Sequence, residues 1–490
     1  MARTRIEHDQ TVLGKARYAT LAEIQQAGLM QSKGGIVLGH ISNNLLELPP
    51  DQHGHVLIVG GTGTGKSRGI AIPTLLRWQG SILAIDVKGE LSEKTAEYRK
   101  GKVRIFDPES ENGHPYDPLK GCTDIATAQE LARNLIPEPK TGDPFWSKTA
   151  QAFLAAGAYE GAMEGRTFSQ VIEKLCTTPA EALIEDFQSS PHRAVKMLSS
   201  VGVGMPEKTM GGVFAELRSK LITLGADPNI ERATAYSSWS PEILEEESTV
   251  YLRVSEKMLK QYEGLWTVIV SQIFRYLSGR QEGAAQPVLI LLDEFARLGK
   301  IEGILEALAT LRSKNVHIAI VIQSMAQLDH IYSPAERKII ADNCTYKLIL
   351  SATDPETQDY FSKLSGQRTV WVGNQGVSTG KSSAGSIIGS ASRGESAGMS
   401  QQATPLIQPA EFAKLQHPVL FAPNMYPISL GKAYWDKMPD TAAQVGLKVE
   451  AAKTSIKKLN KPQRSRLANT ILMLLITFAL SIALGYFETK

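Results

Sequence analysis

Cysteine is scarce in this chain of 490 residues: Cys122, Cys176 and Cys344 are the three it has, widely spaced and without a C-x-x-C pair. That excludes a disulfide framework and a thiolate metal site, and it points to a reducing compartment. A surplus of charge is missing too. The 53 basic residues nearly cancel the 50 acidic ones, leaving +3, so bulk charge does not announce a nucleic-acid binder and any basic channel must come from local placement. Residues 1–9 are polar and charged with no apolar core, so no signal peptide is expected and the bulk of the chain stays inside. Strand-like runs are absent from residues 124–229, where Ala, Leu and Glu recur at helical spacing, which predicts an all-helical segment.

Against these absences stands one dense motif. Residues 55–59 form a short apolar run that stops at Gly60, Gly61, Thr62, Gly63, Thr64, Gly65, Lys66 and Ser67. This is G-x-x-x-x-G-K-[ST] behind a predicted strand and before a predicted helix, the context in which the motif is a P-loop. Glycines let backbone N–H groups turn toward phosphate oxygens, and the helix start adds partial positive charge. Lys66 is expected on the β/γ-phosphates of ATP and the Ser67 hydroxyl on Mg²⁺. A dinucleotide-type glycine loop does not require the Lys-Ser pair. Pro73, inside the predicted helix 66–78, should kink it.

Residues 81–85 predict a strand ending at Asp86, which either serves the ligand edge or caps the helix 91–98. Residues 102–106 and 249–254 predict two more strands. The apolar run 286–292 ends in Asp293 and Glu294, a Walker B pattern: Asp293 holds Mg²⁺ through its water shell and Glu294 polarises the attacking water. Residues 315–322 predict a strand ending at Gln323, placed to sense the γ-phosphate. Arg312, just before it, is either an exposed helix-end cation or a functional one. The Gly/Ser/Gln-rich residues 372–405 predict a mobile loop.

Residues 467–487 carry no charge over 21 positions, enough for a helix of about 31 Å, and Lys457, Lys458, Lys461, Arg464 and Arg466 precede them. A single transmembrane span with residues 1–466 in the cytoplasm is expected, a buried or amphipathic surface helix being the alternative. The resulting division is a lead-in 1–40, a nucleotide-binding domain in two parts (41–123 and 230–436) around the all-α insertion 124–229, a basic linker 437–466, and the span 467–487.

Taken together, these motifs resemble the TraG/TraD type of coupling-protein ATPase of type IV secretion and conjugation. The resemblance rests on Gly14-Lys-Ala-Arg-Tyr-Ala-Thr, Gly69-Ile-Ala-Ile-Pro-Thr-Leu-Leu, Asp86-Val-Lys-Gly-Glu, Phe106-Asp-Pro, Leu291-Leu-Asp-Glu-Phe-Ala, Ile322-Gln-Ser with Gln327-Leu, and Lys432-Ala-Tyr-Trp. It implies a RecA-like α/β P-loop NTPase fold with an inserted all-α domain, and a ring of six subunits at the bacterial inner membrane. ATP would be bound between subunits and DNA threaded through the middle. It further implies a relaxosome and a secretion channel as partners, Arg312 reaching the neighbour's nucleotide, and Gln323 sensing the γ-phosphate. The family's membrane anchor usually lies at the amino terminus, whereas here residues 1–13 are polar and the apolar stretch lies at the other end. The contacts of that usual anchor are therefore not implied. A second reading, from another class, is a docking receptor that recruits protein substrates, with ATP serving assembly.

Overall fold

The structure is a computed structural model that describes residues 13–446 apart from 32, 33, 43, 53, 140 and 382–390, without the side chains of 373–381 and 391–399. Of the expected linker 437–466, residues 437–446 are described and carry the helix Pro439–Gln444 in place of an open linker; residues 447–466 and the expected span 467–487 lie outside the described residues. Among the described residues, no helix is long and apolar enough to cross a membrane.

Thirteen strands are present among the described residues: β1 (Ile36–Ile41), β2 (Asn44–Leu48), β3 (Val56–Val59), β4 (Ser81–Asp86), β5 (Lys102–Phe106), β6 (Ser248–Arg253), β7 (Val288–Leu292), β8 (Val316–Ile322), β9 (Tyr346–Ile349), β10 (Gln367–Lys381), β11 (Ala391–Pro405), β12 (Val419–Phe421) and β13 (Ile428–Ser429). Nine form one sheet in the order β13-β12-β9-β3-β8-β7-β4-β6-β5. From β9 to β5 every neighbour is parallel, and β12 and β13 close the β9 side as antiparallel strands. The apolar runs seen in sequence are explained by this arrangement. All residues of β3, β4, β7 and β8 are buried, as parallel strands covered on both faces must be.

Two cores lie on the two faces. Leu57 and Val59 point into one, while Val56 and Ile58 point into the other, where the β1–β2 hairpin and the helix Ile72–Arg77 cover them. The first core runs on into a block of helices between β5 and β6: Ile125–Leu135, Phe145–Glu164, Phe168–Thr177, Ala180–Ser189, Arg193–Ser199, Glu207–Gly225 and Pro228–Ala233. Their ends follow local chemistry. Asp124 and Thr127 form a capping box, Thr167 and Gln170 form another, and Pro228 opens its helix behind the Asp227 cap. Within the block, Phe153 and Phe214 meet at 4.9 Å between ring centroids, and the buried Glu160 accepts from Lys174 Nζ at 2.8 Å.

Two local expectations change. Residues 372–381 and 391–405 are strands and not a loop, because β10 and β11 pair antiparallel over 15 positions, Gln367 opposite Pro405 through Lys381 opposite Ala391, while 382–390 lie outside the described residues. Composition suggested otherwise because Gly and Ser are poor strand formers, yet Thr369, Val370, Trp371 and Val372 start the ladder with strong ones. After the P-loop, residues Ser67–Ala71 form a π-helical turn, with Ile72 N–H bonding Ser67 O, before the α-helix begins at Ile72. Pro73 then falls in a first helical turn, where its missing N–H costs little.

Candidate active site at the carboxyl edge of the sheet

Parallel strands all deliver their following loops to one edge, and ligands of open α/β sheets bind there. β3 runs into the P-loop at that edge, and Gly60 N–H donates to Ile322 O at 3.1 Å, tying the loop to the end of β8. Gly63 and Gly65 have φ of 74° and 97°, a region that residues with a Cβ avoid. Thr64 Oγ1 donates to Gly61 O at 2.8 Å and closes the loop on itself. Lys66 is buried, and its Nζ donates to Gly60 O at 2.6 Å and Gly61 O at 3.1 Å. Burial lowers its pKa, while Glu294 and Asp293 oppose that shift. An ammonium held by backbone carbonyls close to two carboxylates, instead of being paired with one of them, can turn to an incoming phosphate without breaking a salt bridge.

β7 ends beside it. Asp293 is buried, and its carboxyl is pushed up to about 7, first by burial and then by the neighbouring Glu294 charge; the Glu294 N–H, 3.0 Å from Asp293 Oδ1, works against the rise. A bound divalent cation would restore the ionised form by supplying positive charge. Glu294 adopts φ 51° and ψ 36°, a left-handed conformation unusual for a side chain of its size. Gln323, at the end of β8, donates through Nε2 to Glu294 Oε2 at 3.0 Å. Its own backbone N–H donates to Gln327 Oε1 at 3.2 Å. Gln327 therefore orients the Gln323–Glu294 pair; in the sequence it carried only a family pattern, with no role of its own.

The residues expected to act together do meet, except one. Ser67, Asp293 and Glu294 share a small cavity with Asp86, Lys88 and Glu90. Within it, Asp86 accepts from Leu91 N–H at 3.2 Å, Ser92 N–H at 2.7 Å and Ser92 Oγ at 2.7 Å. Asp86 is thus a helix cap, the plainer of the two readings. Lys88 and Glu90 were not picked out as site residues, since a charged turn after a strand has no distinctive spacing. Lys88 Nζ lies 3.6 Å from Glu256. Arg312 is the exception. It lies on the turn Leu311–Lys314 that enters β8, exposed at the amino edge, on the far side of the sheet from its own P-loop. Two wider clefts lie elsewhere, one beside Tyr346 and Tyr426 and one beside Arg297 and Lys300, and neither holds a P-loop residue. The smaller cavity is the one where Ser67 of the glycine loop faces Asp293 and Glu294.

The profile of the family described as type IV secretory system conjugative DNA transfer matches residues 17–459. The chain belongs to that family. It is 31% identical over 384 residues to the protein VirD4 of Rhizobium radiobacter, covering 73% of this chain and 55% of that one. It is also 26% identical over 418 residues to the conjugal transfer protein TraG of Agrobacterium fabrum, covering 80% of this chain and 62% of that one. The chain spans 55 to 57% of the length of the curated VirD4 relatives it matches. Among solved structures, the bacterial conjugative coupling protein TrwB superposes with a TM-score of 0.67 at 20% identity, covering 86% of this chain and 93% of that one. TrwB has been seen with non-hydrolysable GTP and ATP analogues and with ADP and Mg²⁺. This family member therefore has the α/β fold of TrwB, built on a largely parallel sheet.

Proposed function

We propose that this coupling protein is a Mg²⁺-dependent ATPase that drives DNA toward a type IV secretion channel. The observation that carries the reading is the convergence of Lys66, Ser67, Asp293, Glu294 and Gln323 at one point of the carboxyl edge. Lys66 and the backbone N–H groups from Gly61 to Ser67 hold the phosphates. Ser67 and Asp293 hold the metal ion, which when bound spreads positive charge over the phosphate oxygens. Glu294, fixed by its left-handed backbone and by Gln323, orients the attacking water. Gln323 and Gln327 report the state of the γ-position to the helix Met325–Ile331 that follows. Arg312 completes the site of the next subunit in a ring of six.

Residues 467–487 anchor the ring to the membrane, and the helical block meets the relaxosome and its DNA. Exposed Phe145, Trp146, Met197, Val201 and Val203 on that block favour a second reading, recruitment of protein cargo. ATP turnover measured with and without single- and double-stranded DNA separates the two. Stimulation by DNA at low salt, fading as salt rises, is expected for the pump; turnover indifferent to DNA contradicts it. Deleting residues 467–490 should release the protein from membranes, and persistent membrane association contradicts the anchor.

A further inference from the structure

The segment Lys432-Ala-Tyr-Trp435 has no part in the phosphate chemistry, yet it packs on the P-loop. A Cβ placed on Gly65 would lie 3.0 Å from the Tyr434 ring, and one on Gly69 would lie 3.6 Å from it, so the ring covers the first turn after the phosphate cradle. The ring is held in place by its surroundings. Trp435 N–H donates to Arg68 O at 3.1 Å, and Lys437 N–H donates to Tyr434 O at 2.9 Å. Arg68 lays its guanidinium over the ring, 4.7 Å from the centroid, while its Nε donates to Asp436 Oδ1 at 2.9 Å. Lys437 Nζ lies 5.7 Å from the same centroid.

We propose that Tyr434 is the platform on which the base of the bound nucleotide stacks, with Arg68 as the neighbouring layer. The inference rests on reading the P-loop as a nucleotide site. With phosphates at Lys66 and Ser67, the nucleoside must leave the cradle past the next residues, and these are Arg68 and Gly69, where the Tyr434 ring stands. A guanidinium already lies over that ring, 4.7 Å from its centroid, and a nucleobase presents a flat face of the kind that aromatic rings accept. Among the described residues, the Tyr434 hydroxyl makes no hydrogen bond, so the ring is the working part. Stacking tolerates any base because every base has a π-face. Adenine and guanine nucleotides should therefore depend on Tyr434 alike.

The test is calorimetric binding of ADP, GDP and pyrophosphate, each with Mg²⁺, to the full chain and its variants. Tyr434→Ala should weaken ADP and GDP about tenfold while leaving pyrophosphate within about twofold, and Tyr434→Phe should restore the nucleotides. Equal weakening of pyrophosphate would mean that the ring only shapes the loop, and it would overturn the platform. Unchanged binding of all three by Tyr434→Ala would overturn it as well. If the unaltered chain binds neither pyrophosphate nor nucleotide, the P-loop reading itself fails and the platform falls with it, a pattern distinct from the other two.

Discussion

The two edges of the main sheet are chemically unlike. At the carboxyl edge Gln323 bonds Glu294, Lys66 feels the charges of Glu294 and Asp293, and Asp86, Lys88 and Glu90 line the same cavity as the two carboxylates. At the amino edge the buried His55 accepts from Ile318 N–H at 3.0 Å, His317 lies edge-on to Trp78, and the exposed Arg312 stands at the entry to β8. Burial acts on both edges but with different results. It pushes Asp293 up to about 7 within reach of a cation, and it pulls His55 down to about 3, with the nearby His317 adding to the effect, so the histidine stays neutral. The carboxyl edge therefore gathers Ser67, Lys66 and two carboxylates, while Arg312 stands at the other edge, away from the glycine loop. Seven residues of β8, about 23 Å, lie between the entry to that strand and its carboxyl end in one chain. In the proposed ring, a complete site combines the carboxyl edge of one subunit with the amino edge of the next.

Breaking the carboxyl edge should have the largest effect. Lys66→Ala is expected to abolish nucleotide binding, read by calorimetry, and turnover with it; normal turnover would remove the P-loop assignment. Breaking the amino edge through Arg312→Ala should leave binding intact and slow turnover about 10³-fold, as the loss of an arginine supplied in trans does. Glu294→Gln should keep ATP bound and reduce turnover by about 10²- to 10³-fold, and equal loss of binding would argue that its role is structural. Smaller again is Asp86→Ala, which removes the acceptor of three hydrogen bonds at a helix start. It should cost about 1–2 kcal/mol in chemical denaturation, and a loss of metal binding instead would return Asp86 to the ligand set.

The smallest effect concerns pH at the amino edge. His55 has a folded pKa near 3 against an ordinary value of 6.5, so between those limits the unfolded chain binds a proton that the folded chain does not. Stability then falls as pH drops below about 6.5. Asp293 has the opposite sign, since its raised pKa makes the folded chain take up a proton first. The difference between the native chain and His55→Gln isolates the histidine: the variant should lose less stability on going from pH 7 to pH 5. Equal slopes would mean that His55 gains a proton in place.

How much of this was legible in advance depends on how local the cause is. β3, β7 and β8 are apolar runs because strands buried on both faces have no polar side to show, and the P-loop is a contiguous motif. Asp86 was ambiguous because a carboxylate after a strand can serve a ligand or a helix, and only its contacts with Leu91 and Ser92 decide. The β10–β11 hairpin was missed because its stability lies in a pairing across 15 positions, which composition does not record. Tyr434 and Gly65 are far apart in the chain, and their contact is a product of the fold alone. Arg312 could be placed on a turn before a strand, but the edge it occupies follows only from the parallel register of β3 and β8.

The most direct test of the two-edge account is turnover in mixtures of Arg312→Ala and Lys66→Ala subunits, each close to inactive by itself. Mixed rings contain interfaces where an intact P-loop faces an intact arginine, so activity should reappear and peak near equal proportions. Mixtures that stay as inactive as the separate variants at every ratio would contradict a site shared between neighbours.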